Sequence, residues 1–67
     1  MTPLDSSNLK GCEYDAENEV LTVHFRNGST YQYQGVPPEI HEQLCNADSP
    51  GSFFHRAIRG RYAHTYA

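Results

Sequence analysis

A chain of 67 residues has room for one domain and a small core, so its stability margin is thin. Five basic against eight acidic side chains give a net charge of −3, and mean hydropathy is −0.71, which excludes a strongly basic nucleic-acid-binding chain. There is no apolar run long enough to span a bilayer and no charged-then-apolar start, and two cysteines are too few for a disulfide framework.

In chain order, Met1 to Ser7 is polar, carries Pro3 and reads as a flexible lead-in. Leu9 to Tyr14 is a strand candidate. Cys12 and Tyr14 share a parity that Leu9 does not, so a bulge near Gly11 is needed to bring all three onto one face. Asp15 to Asn18 is a turn by composition. Val20 to Gln34 is a hairpin around Asn27-Gly28, and its alternation selects the register. A two-residue loop would set Leu21, Val23 and Phe25 on a face with Thr30, Gln32 and Gln34. A three-residue loop, Arg26-Asn27-Gly28, pairs Val23 with Tyr31 and Leu21 with Tyr33. One face then carries Leu21, Val23, Phe25, Tyr31 and Tyr33, the other Thr22, His24, Thr30 and Gln32. This register also gives Gly28 the left-handed position of a bulged turn.

Gly35 ends the sheet. Pro38 opens a helix expected to run to about Asn46, with Glu39 and Glu42 suited to its positive end and Ile40 and Leu44 as its buried stripe. Ser49-Pro50 opens a second helix as cap and first residue, and Gly60 stops it. Phe53, Phe54, Ala57 and Ile58 form its apolar face; Ser52, His55, Arg56 and Arg59 lie opposite. The fold class is therefore α+β: a three-stranded antiparallel meander followed by two short helices, both packed on the Tyr31/Tyr33 face. Residues 1–7 are the lead-in, 8–62 the single domain and 63–67 a C-terminal tail. An uncovered edge, Leu9–Tyr14 or Ser29–Gln34, would permit a weak dimer of an otherwise monomeric chain.

Charge is segregated. All eight acids precede Ser49 alongside only Lys10 and Arg26, whereas residues 49–67 hold Arg56, Arg59 and Arg61 and no acid. The three arginines are a candidate phosphate-contacting patch, aided by His55 or Lys10; the competing reading pairs them with Glu39, Glu42 and Asp48. Ser49, Gly51 and Ser52 put backbone N–H groups at a helix start, where an anion can sit unless Ser49 caps the helix itself. Gly51 weakens a helix, which points to a close approach by some group. Tyr31 and Tyr33 could stack bases, but the register assigns them to the core.

His41 and Cys45 are four apart and could share a metal, with Cys12, His24, His55 and His64 as other donors. No Cys-x-x-Cys or His-x-x-x-His spacing accompanies them, so no metal or cofactor is expected. His24 has no identifiable catalytic partner, and no enzyme is expected. Free thiols suggest a reducing cytoplasm.

The order Tyr14-Asp15, Asn27-Gly28, Tyr31-Gln32-Tyr33, Val36-Pro37, Ala47 to Phe54 and Ile58-Arg59 resembles the KTSC family, a domain found at the C-terminus of some lysyl-tRNA synthetases and alone in small bacterial proteins. The resemblance covers about residues 6–62 and implies the stand-alone form. Its association with synthetases implies RNA, or another phosphate-bearing ligand, as partner. Ser49, Gly51, Ser52, Arg56, Arg59 and Arg61 are the candidate binding residues, with Tyr31, Tyr33, Phe53 and Phe54 as motif and core. The alternative is a protein–protein adaptor using the polar sheet face or an edge strand.

Overall fold

The structure, a computed structural model, describes all of residues 1–67. Five strands form one antiparallel sheet: β1 (Thr2–Pro3), β2 (Leu9–Asp15), β3 (Val20–Phe25), β4 (Thr30–Tyr33) and β5 (His64–Tyr66), in the spatial order of the chain. Helices α1 (Pro38–Asn46) and α2 (Pro50–Ala57) lie between β4 and β5 in sequence.

The central meander, β2 to β4, has the expected register. Val23 pairs with Tyr31 and Leu21 with Tyr33. The hairpin closes through Phe25 N–H donating to the Ser29 carbonyl at 2.8 Å and Gly28 N–H donating to the Phe25 carbonyl at 3.1 Å. Gly28 has φ +94°, which only glycine adopts cheaply. The bulge also falls where expected: Leu9 pairs with Phe25, but Gly11 pairs with His24.

The three-stranded reading is corrected at both edges. The lead-in carries β1, paired to Gly11 and Cys12, and Leu4 behind it is buried in the core. The tail carries β5, paired to Tyr31–Tyr33 of β4 and flanked by Gln34 N–H to the Ala63 carbonyl and Ala67 N–H to the Thr30 carbonyl, both 2.8 Å. Neither strand has a buried-exposed alternation, since all residues of both are exposed. Backbone pairing recruits them, helped in β5 by His64 and Tyr66 against the Tyr31 ring, and proline is tolerated at such an edge. Leu9–Tyr14 and Ser29–Gln34 are therefore interior to the sheet, and its edges are β1 and β5.

β1 sits close enough to β2 to require glycine there. A Cβ on Gly11 would lie 2.6 Å from the Thr2 carbonyl oxygen and 2.8 Å from Met1 Cγ. Gly11→Ala is expected to lift β1, costing about 1–3 kcal/mol. The Leu4 amide, which donates to the Lys10 carbonyl at 3.2 Å, should then exchange faster in hydrogen-exchange NMR, while the amides of β3 keep their relative protection.

One core joins the layers. Leu9, Cys12, Leu21, Val23 and Tyr33 come from the sheet, Leu44 from α1, and Phe54 and Ile58 from α2 and its end. Phe54 is met edge-on by Phe25 at 5.6 Å and by Tyr33 at 5.5 Å between centroids. Both helices thus cover the Tyr33 face. α2 closes with the Ile58 and Arg59 amides on the Phe54 carbonyl and the Arg61 amide on the Ile58 carbonyl, and Gly60 at φ +77° turns the chain away.

Candidate anion-binding cleft

Burying Phe54 and Ile58 rotates His55, Arg56 and Arg59 outward, and all three are exposed. They form one wall of a cleft of about 590 Å³. The opposite wall is Ser7 and Asn8 with Arg26 and Asn27 of the hairpin loop, and Gly51 and Ser52 close one end. Hydrogen bonds tie that wall together. Arg26 Nε donates to the Ser6 carbonyl at 2.7 Å, and its amide donates to the Asn8 carbonyl at 2.9 Å. Ser6 Oγ accepts the amides of Asn8 and Leu9 at 3.2 Å each.

The electrostatics are one-sided. The lining contains three guanidinium groups and an imidazole and no carboxylate. The expected competition from Glu39, Glu42 and Asp48 does not occur: the ion pairs of the molecule are those of Glu13 with the N-terminus and with His24. Ser49 makes no side-chain capping bond, and α2 has no acid in its first turn. The Gly51 and Ser52 N–H groups precede Phe53, whose amide makes the first bond of the helix to the Ser49 carbonyl, and as first-turn donors they have no intrahelical acceptor.

Of the residues singled out in the sequence, Gly51, Ser52, Arg56 and Arg59 come together in the cleft. Ser49 and Arg61 lie outside its lining. The Ser49 carbonyl accepts the Phe53 amide at 3.0 Å, and Arg61 Nε donates to the Arg56 carbonyl at 3.1 Å, as cations do at helix C-terminal ends. Lys10 is exposed on β2 and also lies outside. Arg26 is the member that sequence reasoning missed, because its position depends on the Ser6–Asn8 segment folding back against the hairpin. The close approach that Gly51 signalled is made by the protein itself: a Cβ there would lie 2.9 Å from Ser6 Oγ.

A second cleft of about 350 Å³ adjoins the first, sharing Phe25, Asn27, Phe54 and Arg59 and adding Ser29, Tyr31, Tyr33 and His64. The Tyr-x-Tyr pair divides its work here. Tyr33 is 4% exposed, and burial first, then Tyr31, pushes its hydroxyl pKa up, with Arg59 opposing. Tyr31 is half-buried, edge-on to Phe25 and Tyr66 and tilted against His64 at 5.4 Å. Phe53 is half-buried against the core, and Phe54 backs both clefts.

Two other clusters lie apart from the clefts. On the open sheet face, His24 does have partners, Thr30 Oγ1 and Glu13 Oε2, each at 3.2 Å. Under α1, Cys12 meets His41 and Cys45, their donor atoms all within 4.8 Å of one another. Burial, with Cys45 adding to it, raises the Cys12 thiol to about 12.

Comparison with known proteins agrees with this fold. A family model described as the KTSC domain matches residues 5–62. The chain is similar to the crystal structure of a KTSC domain protein from Yersinia pestis, with TM-score 0.95 and 36% identity over 98% of this chain and 93% of that one. It is 39% identical to an uncharacterized protein of Stutzerimonas stutzeri (strain A1501), over 88% of this chain and 83% of the relative. It is 38% identical to a segment of the lysine–tRNA ligase of Nostoc punctiforme, over 87% of this chain but only 10% of that protein.

Proposed function

The chain belongs to the KTSC domain family, and from that premise we propose that it is a non-catalytic module that binds the phosphate backbone of single-stranded RNA in the cleft between α2 and the hairpin loop. One observation carries the reading: Arg26, Arg56 and Arg59 converge on a single cleft whose lining holds no carboxylate. A guanidinium fork matches two phosphate oxygens at once, and such charge-assisted bonds are stronger than neutral ones. The first-turn amides of α2 add donors to the same end. The adjoining cleft offers Tyr31 and His64 beside Arg59, a surface against which an unpaired base can stack. Proteins named lysine–tRNA ligase carry a similar segment, which fits an RNA partner.

The placement of two histidines supports binding over catalysis. His55 Nδ1 meets the Arg59 guanidinium at 3.5 Å, not a hydroxyl, and His24 with its partners lies outside both clefts. No helix is long and apolar enough to cross a membrane, and two free thiols suit a reducing cytoplasm. A second reading rests on β5, an exposed edge strand with Tyr66 71% exposed. It could take a partner protein's strand by edge pairing.

An amide NMR titration tests the two. Short single-stranded RNA, duplex RNA and a mononucleotide are added at low and at physiological salt. RNA binding predicts shifts at Asn8, Arg26, Gly51, Ser52 and Arg59 that single strands produce best and that fade with salt. An absence of shifts at low salt would overturn the RNA reading in favour of the edge-strand one.

A further inference from the structure

We propose that Cys12, His41 and Cys45 form a binding site for one thiophilic d10 cation, Zn2+ being the probe of choice. The site is independent of the RNA reading, and none of the three residues lines either cleft. Around a tetrahedral zinc, thiolate sulfurs and an imidazole nitrogen stand about 3.5–3.8 Å from one another. His41 Nε2 and Cys45 Sγ are already 3.4 Å apart on adjacent turns of α1, and all three donor atoms fall within 4.8 Å. Closing the set onto an ion requires a movement of only about 1 Å at the widest pair.

The donors are held rather than merely near. Cys12 is fully buried on β2, fixed by pairing to Val23. The His41 ring stacks on Tyr14, with centroids 4.6 Å apart and planes 9° apart, and Tyr14 is itself anchored by its hydroxyl donating to the Val36 carbonyl at 2.6 Å. Stacking occupies the ring's face, fixes its plane and leaves its edge nitrogens for a ligand. Two soft sulfurs and an imidazole select zinc or copper(I) over magnesium or calcium. On binding, the two thiol protons leave to solvent and the doubly charged cation meets two thiolates, so the site carries no net charge. His41 and Cys45 are half-buried, which provides the route in and a side for a fourth ligand. Residues 1–48, which hold the donors, also hold all eight acidic side chains, a field that attracts cations.

The test is a cobalt titration of the fully reduced protein, followed by displacement with zinc. The expected result is thiolate-to-cobalt charge-transfer absorption with the visible bands of tetrahedral cobalt, saturating at one ion per chain and bleached by zinc. Cys45→Ser and His41→Gln, both at half-buried positions that tolerate polar side chains, should weaken binding about ten-fold or more while circular dichroism shows the fold retained. Adventitious binding by His24, His55 or His64 would lack the charge-transfer bands. Absence of those bands in the folded, reduced protein, or a titration unchanged in Cys45→Ser, would overturn the site.

Discussion

Leu21→Ala is expected to unfold a large fraction of the protein, whereas Thr22→Ala, one residue along the same strand, should leave it folded. Leu21 is fully buried and paired with Tyr33 at the centre of the only core. Truncating such a leucine costs about 2–5 kcal/mol, from lost burial and from the cavity left behind. A domain of 67 residues has a total stability of only about 3–10 kcal/mol. Thr22 faces the open side of the sheet opposite Gln32, and its loss should cost about 1 kcal/mol or less. Urea unfolding followed by circular dichroism gives both values. Equal effects would mean that the two faces had been assigned wrongly, because a register slip of one residue exchanges them.

That contrast rests on the part of the fold that the chain declares locally. The hairpin register follows from alternation plus the glycine of a three-residue loop, and the Gly11 bulge from a parity mismatch with Leu9. The helix bounds follow from Pro38, Ser49-Pro50 and Gly60. Each is a short-range rule acting within a few residues, and each is met in the structure except that α2 ends at Ala57, before Gly60, which turns the chain after it. The edge strands obey no such rule. Thr2–Pro3 and His64–Tyr66 are exposed throughout, so no hydrophobic pattern marks them. Only the prior existence of β2 and β4 gives their backbones a partner.

The candidate site divides along the same line. Arg56 and Arg59 are neighbours on one helix face, and their outward direction is fixed by the burial of Phe54 and Ile58. Arg26 joins them only because Ser6 and Asn8 hold the hairpin loop from the other side. The two sulfurs and the imidazole likewise converge only when α1 is laid over β2. Gly51 is the instructive mixture: its cost to the helix was visible, but the group that needs the space is Ser6, brought there by the N-terminal segment. Residue types alone could propose a ligand at that glycine; the packing supplies a structural reason for it.

Arg59→Glu and Arg61→Glu change the net charge identically and should differ widely in RNA affinity. Arg59 stands on the wall shared by both clefts, while Arg61 holds the Arg56 carbonyl outside them. If the cleft grips phosphate, replacing Arg59 removes a charge-assisted bond and sets a carboxylate against the ligand. A loss of about 30-fold or more is expected, and about 100-fold or more with Arg56→Glu added. Arg61→Glu acts only through screened long-range field and should cost about three-fold or less at physiological salt. Salt gives the second dimension. With two or three phosphates engaged, affinity for a single strand should fall about ten-fold between 50 and 200 mM salt. Each cleft arginine removed should flatten that slope by about one counterion. Fluorescence anisotropy with a labelled oligonucleotide measures both the affinities and the slopes. Equal losses for Arg59→Glu and Arg61→Glu would mean that overall charge, not this cleft, draws the nucleic acid. Such an outcome is hard to reconcile with a chain that carries eight acids, because only a local concentration of cations can overcome a net negative body.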